Sequence, residues 1–141
     1  MFALIKSLFH PSPADLAFKK CAAAGRDLFT TVLMFHESHK LVGTELQPDE
    51  SSLDTLGSLV AAGSEPEHTL PAVAVFLGCV ITEQLGGTWQ RTSDGSYRIV
   101  GVGPQHGSVD LARDIQTRLS PPESLTPRAV YESIRERSRN A

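Results

Sequence analysis

The stretch from Thr69 to Gly103, TLPAVAVFLGCVITEQLGGTWQRTSDGSYRIVGVG, constrains the fold of this chain more than any other. Residues 70–85 are apolar on nearly every side, so a helix here must be buried on most of its faces. With Glu83 and Gln84 near its end it is too short and too polar to span a bilayer. Thr69 is expected to cap its start with Pro71 in the first turn, the segment Ser64–His68 before it reads as a loop, and Gly86-Gly87 ends the helix. Ala74, Gly78 and Thr82 recur at four-residue spacing, a line of small side chains that predicts the close approach of a second helix.

A β-hairpin follows, entered through the only tryptophan. A two-residue turn at Asp94-Gly95 would set Arg91 opposite Arg98, and like charges directly across a ladder are unfavourable. A three-residue loop, Ser93-Asp94-Gly95, instead pairs Arg91 with Tyr97 and Trp89 with Ile99. Trp89, Tyr97 and Ile99 then share one face, with Gln90, Thr92, Ser96 and Arg98 on the other. A lone two-stranded ribbon is marginal in water, so its aromatic face must lie on the helices or its edge must find another strand.

The remaining residues supply helices around this unit. A long helix is predicted over Ala14–His39, started by Ser12-Pro13, with Gly25 marking a bend or a close helix crossing. A polar linker, Lys40–Asp49, leads to a helix near Ser51–Ala62 with Leu53, Leu56, Leu59 and Val60 inward and Gly63 as its stop. After the hairpin, Ser108 is expected to cap a helix over Val109–Leu119, stopped by Ser120-Pro121-Pro122, and Thr126-Pro127 opens the last one. The expected fold is α+β, a mainly helical single domain spanning 1–141 with about five helices and one hairpin at about 88–102 on a buried central helix. Residues 1–10 read as an amphipathic segment, with Phe2, Ile5 and Phe9 at helical spacing, and 135–141 as a frayed tail. The opening residues lack the basic region and the cleavage site of a targeting peptide, which favours a cytoplasmic protein without a transmembrane segment.

Charge is uneven. Residues 41–90 hold seven acidic side chains (Glu45, Asp49, Glu50, Asp54, Glu65, Glu67 and Glu83) and no Lys or Arg, within a net charge of −3. This pattern argues against nucleic acid, which would want one coherent basic face. It reads as a solvated acidic surface or as a docking face for a basic partner. Cys21 and Cys79 both fall in apolar helical patterns and are expected as free, buried thiols, consistent with a reducing compartment.

Apparent motifs carry little chemistry. Gly101-Val-Gly103-Pro-Gln-His-Gly107 has the wrong spacing for a dinucleotide fingerprint, and no βαβ unit follows it. His36 and His39 are three residues apart, whereas zinc pairs of that kind use four-residue spacing and a further ligand. No catalytic set, metal site or cofactor is expected. Glu83, an acid in the last turn of a helix, opposes the helix dipole, so its placement asks for a reason. The expected explanation is a nearby Arg91 or Arg98. Candidate partner- or ligand-contacting residues are Glu83, Trp89, Arg91, Tyr97 and His106.

Leu77-Gly78-Cys79-Val80-Ile81 followed by Leu85-Gly86-Gly87-Thr88-Trp89 resembles a helix-to-hairpin pattern of uncharacterised bacterial domain families: aliphatic-Gly-Glu-aliphatic, then Gly-Gly-x-Trp, then short strands and a helix. The resemblance covers about residues 69–119 and departs at Cys79, where those domains often have Glu. It implies an α+β fold and a bacterial origin, and no activity. The functional expectation is a non-catalytic protein-interaction module, such as an adaptor, immunity or accessory protein, acting on a protein partner or by self-association. The alternative is a small-ligand binder or weak enzyme with a pocket near Trp89, Glu83 and His106.

Overall fold

The computed structural model describes residues 12–41, 43, 46–62 and 66–140. The amphipathic segment expected over 1–10 and the helix stop expected at Gly63 lie outside the described residues. Among the described residues the architecture is α+β and mainly helical: six helices, one of them buried at the centre, and a three-stranded antiparallel sheet.

The elements, in order, are α1 (Pro13–Ala22), α2 (Arg26–Leu41), a 3-10 turn (Glu50–Ser52) running into α3 (Leu53–Ala62), α4 (Pro66–Leu85), β1 (Thr88–Arg91), β2 (Tyr97–Val102), β3 (Gly107–Asp110), a π-helical segment (Leu111–Gln116) closing in the short turn α5 (Thr117–Leu119), and α6 (Pro127–Asn140). Ser12 forms a full capping box with Asp15, as Ser12-Pro13 predicts. Thr126 accepts from Ala129 N at 3.1 Å and starts α6.

The α4 helix is the centre of the molecule. Its residues from Ala72 to Ile81 are buried without interruption, and α1, α2, α3, α6, β2 and the π-helical segment all pack on it. Phe76 meets Phe18 edge-on at 6.0 Å and Phe35 at 6.3 Å. Burying an aromatic or aliphatic side chain of this size contributes about 1.5–3 kcal/mol, and this helix supplies more buried apolar residues than any other element.

Five sequence expectations change. The long first helix is two helices: the N–H groups of Ala24 and Gly25 both return to Cys21 O, at 3.1 and 3.2 Å, and close α1 there. The break makes room for the Tyr97 ring, since a Cβ at Gly25 would stand 2.7 Å from Tyr97 Cζ. The central helix begins at Pro66, so Thr69 lies inside it and Pro71 is interior; proline suits the first helical turn, and Pro66 takes that role. The small residue Gly78 receives no helix. It receives the Trp89 ring, whose Cζ2 would be 2.6 Å from an added Cβ.

The fourth change is in the sheet. The hairpin has the expected register, with Trp89 opposite Ile99 and Arg91 opposite Tyr97. Its loop holds Gly95 at φ +86, a conformation that costs an L-residue energy and glycine almost none. Ser108 and Val109, expected to open a helix, form β3 against the second edge of β2, with Val109 opposite Ile99. That pairing satisfies an otherwise open edge and buries Val109. Asp110 is the residue that caps the following π-helical segment, accepting from Arg113 N at 2.8 Å. At the other end of the chain, the segment expected to fray is helical to Asn140, with Ser138 buried.

Candidate functional site

The five candidate residues do not converge on one point. Tyr97 and Arg91 sit together at the hairpin end of the sheet. The Tyr97 hydroxyl donates to Asp27 Oδ1 at 2.5 Å, and the Arg91 guanidinium carbon lies 5.9 Å from the Tyr97 ring centroid. Asp27 is in the first turn of α2, where a negative charge also meets the positive end of the helix dipole. The Tyr97 hydrogen bond holds the Asp27 carboxyl below its ordinary value, and the same bond raises the Tyr97 phenol.

Trp89 is buried under the sheet against Gly78, with its Nε1–H lacking a hydrogen-bond partner among the described residues. Glu83 is joined by Lys20 of α1 at 2.8 Å, and not by Arg91 or Arg98. His106 is exposed at φ +53 in the turn between β2 and β3, at the opposite end of β2 from Tyr97. Asp27 and Lys20 were missed at the sequence level because nothing local marks a contact across 70 or 63 residues.

The histidines of α2 have structural surroundings. His36 is buried, its ring edge-on to Phe18 at 5.2 Å, and His39 Nδ1 is 2.8 Å from Phe35 O. Among the described residues no group of three or more His, Cys, Asp or Glu is placed to hold a metal ion. Cys21 and Cys79 are free and buried, as expected; the Cys21 thiol donates to Phe18 O at 3.1 Å, and the neighbouring Cys21 side chain together with burial pushes the Cys79 thiol well above its ordinary value.

Three acidic residues from the middle of the chain have basic partners from its two ends. Glu50 pairs with Arg135 at 3.0 Å, Asp54 with Arg128 at 2.8 Å and Glu83 with Lys20, while Asp49 caps the 3-10 turn. The charge asymmetry of the sequence is therefore complementary in space, the basic ends folding onto the acidic centre.

Two surface features stand apart from these residues. The large apolar side chains exposed among the described residues are Leu16 (48%), Met34 (67%) and Leu41 (87%), all on α1 and α2. A cavity of about 370 Å³ opens between α3, the start of α4 and the segment from Leu119 to Pro127; a smaller one of about 180 Å³ lies between β3 and α6. None of the five candidate residues lines either cavity. No helix of the described residues is long and apolar enough to cross a membrane.

Comparison with known proteins finds no matching family model, no matching curated protein and no matching solved structure.

Proposed function

We propose that this chain is a non-catalytic protein-binding module, of the adaptor, immunity or accessory kind found in bacterial cytoplasm. The observation that carries the reading is that, among the described residues, the exposed large apolar side chains all lie on one helical pair, Leu16 on α1 and Met34 and Leu41 on α2. Exposed apolar side chains limited to one helical pair mark a contact surface more than exposure spread over the whole fold does. The hairpin edge is a weaker candidate than it looked in the sequence, because β3 occupies the β2 side of it. The acidic residues also lend less support to an electrostatic face, since Glu50, Asp54 and Glu83 already have intramolecular partners. The resemblance of residues 69–119 to uncharacterised bacterial domains implies a bacterial origin and no activity.

Photo-crosslinking tests this reading. With p-benzoylphenylalanine in place of Met34, ultraviolet exposure in the native host should yield a discrete protein adduct. The same probe in place of Gln90, on the polar outer face of the sheet, should give none, and Leu16→Glu should abolish the adduct at position 34. Equal labelling at both positions, or no adduct at position 34, overturns the reading. An adduct of twice the chain mass identifies the partner as a second copy.

A further inference from the structure

We infer that the 370 Å³ cavity between α3, α4 and the Leu119–Pro127 segment is a binding site for a small, neutral, mainly apolar molecule. The inference is independent of the protein-binding surface on α1 and α2. Its volume lies within the ordinary range for small-molecule sites, and scaling from roughly 150 Å³ for a benzene-sized site suggests an occupant of about 12–15 heavy atoms.

The lining decides the chemistry. Val60, Leu70, Leu119 and Leu125 supply apolar walls, and no charged side chain is among the described lining residues. An ion entering here would lose hydration and find no counter-charge, so the site selects against charged ligands. Hydroxyl-bearing Thr69 and Ser124 also line it, suiting a ligand with one hydroxyl or carbonyl. Ser124 adopts φ +45, uncommon for a residue other than glycine.

The walls are held apart before any ligand arrives. Ser124 N donates to Ser120 O at 3.0 Å and Leu125 N to Arg118 O at 2.9 Å, fixing the loop from both sides. Arg128–Asp54 and Arg135–Glu50 also join α6 to α3 and the turn before it. A preformed site avoids the ordering cost that a collapsed one would incur on binding.

The test uses 2-naphthol as a neutral probe and 2-naphthalenesulfonate as its anionic counterpart, followed by amide chemical shifts of the full chain. The expected result is saturable shifts confined to α3, the first turns of α4 and residues 119–127, with the sulfonate binding at least tenfold more weakly. Gly57 lines the cavity, and a Cβ there meets only Pro127 Cδ at an ordinary 3.7 Å. Gly57→Leu should therefore fill the space and weaken 2-naphthol at least tenfold, while Gly57→Ala, which barely intrudes, keeps the affinity within threefold and confirms that position 57 tolerates a side chain. Absence of saturable shifts in the parent protein overturns the inference. So does equal binding of the two probes, or unchanged affinity in a folded Gly57→Leu protein.

Discussion

The Tyr97 hydroxyl and the Asp27 carboxylate, 70 residues apart in sequence, meet at 2.5 Å and tie strand β2 to the first turn of α2. The ring that makes this bond crosses directly over Gly25, so the break between α1 and α2 and the position of the sheet are one structural fact. Tyr97→Phe keeps the ring and removes the bond, and should cost about 0.5–1.5 kcal/mol in urea unfolding at neutral pH. Gly25→Ala should cost more, since the backbone or the ring must move.

The same pair predicts a pH dependence on both flanks. Asp27 is lowered in the folded state by the Tyr97 bond, so its contribution is present above the unfolded value of about 4 and is lost as pH falls through the folded value. Tyr97 is raised, so its contribution is present below about 10 and is lost as pH rises through the folded value. Urea midpoints measured from acid to alkaline pH should decline at both ends, and Tyr97→Phe should flatten both declines.

Trp89 is a built-in reporter of the hairpin's seat on α4, being the only tryptophan. Gly78→Ala puts a methyl group where the indole lies and should destabilise by about 1–3 kcal/mol, the usual cost of overpacking a core. The indole emission should shift to longer wavelength while the hairpin register, read from cross-strand amide contacts, is unchanged. A native blue-shifted emission with full stability would contradict the packing described.

The ion pairs that join the ends of the chain to its middle should differ in weight. Arg128 and Asp54 are both substantially exposed, so Arg128→Ala should cost less than about 1 kcal/mol, and less still in 1 M salt. Arg135 is more buried, reaches Glu50 and Glu132, and lies 5.7 Å from the Tyr131 ring centroid. Its replacement by alanine should cost more and depend less on salt, because packing is lost along with charge.

Cys21 and Cys79 should be inert in the native protein. Their burial denies access, and the raised Cys79 thiol disfavours its reactive thiolate. An aromatic disulfide reagent should label both thiols in denaturant and neither, over the same interval, in the folded chain.

Much of the fold was legible locally. The all-round apolar pattern of residues 70–85 announced a buried helix, and the charge clash of Arg91 with Arg98 selected the hairpin register, because both are consequences of neighbouring residues alone. The third strand was not legible: Gly107–Asp110 is short, and its strand character comes from the open edge of β2 beside it. Of the candidate site residues, Arg91 and Tyr97 proved to be neighbours through the register itself. Glu83 drew notice for its conflict with the helix dipole, yet the lysine that answers it comes from another helix.

The sequence by itself determined the β1–β2 hairpin with its register and that α4 had to be inside, through periodicity and turn chemistry acting over a few residues. Only the tertiary structure decided what fills the space beside each element: Trp89 over Gly78, Tyr97 over Gly25, the basic ends on the acidic middle, and a cavity where α3, α4 and the Leu119–Pro127 segment fail to meet. Those outcomes depend on the simultaneous positions of elements far apart in the chain. No local pattern encodes them, because the energy of each contact exists only once both partners are in place.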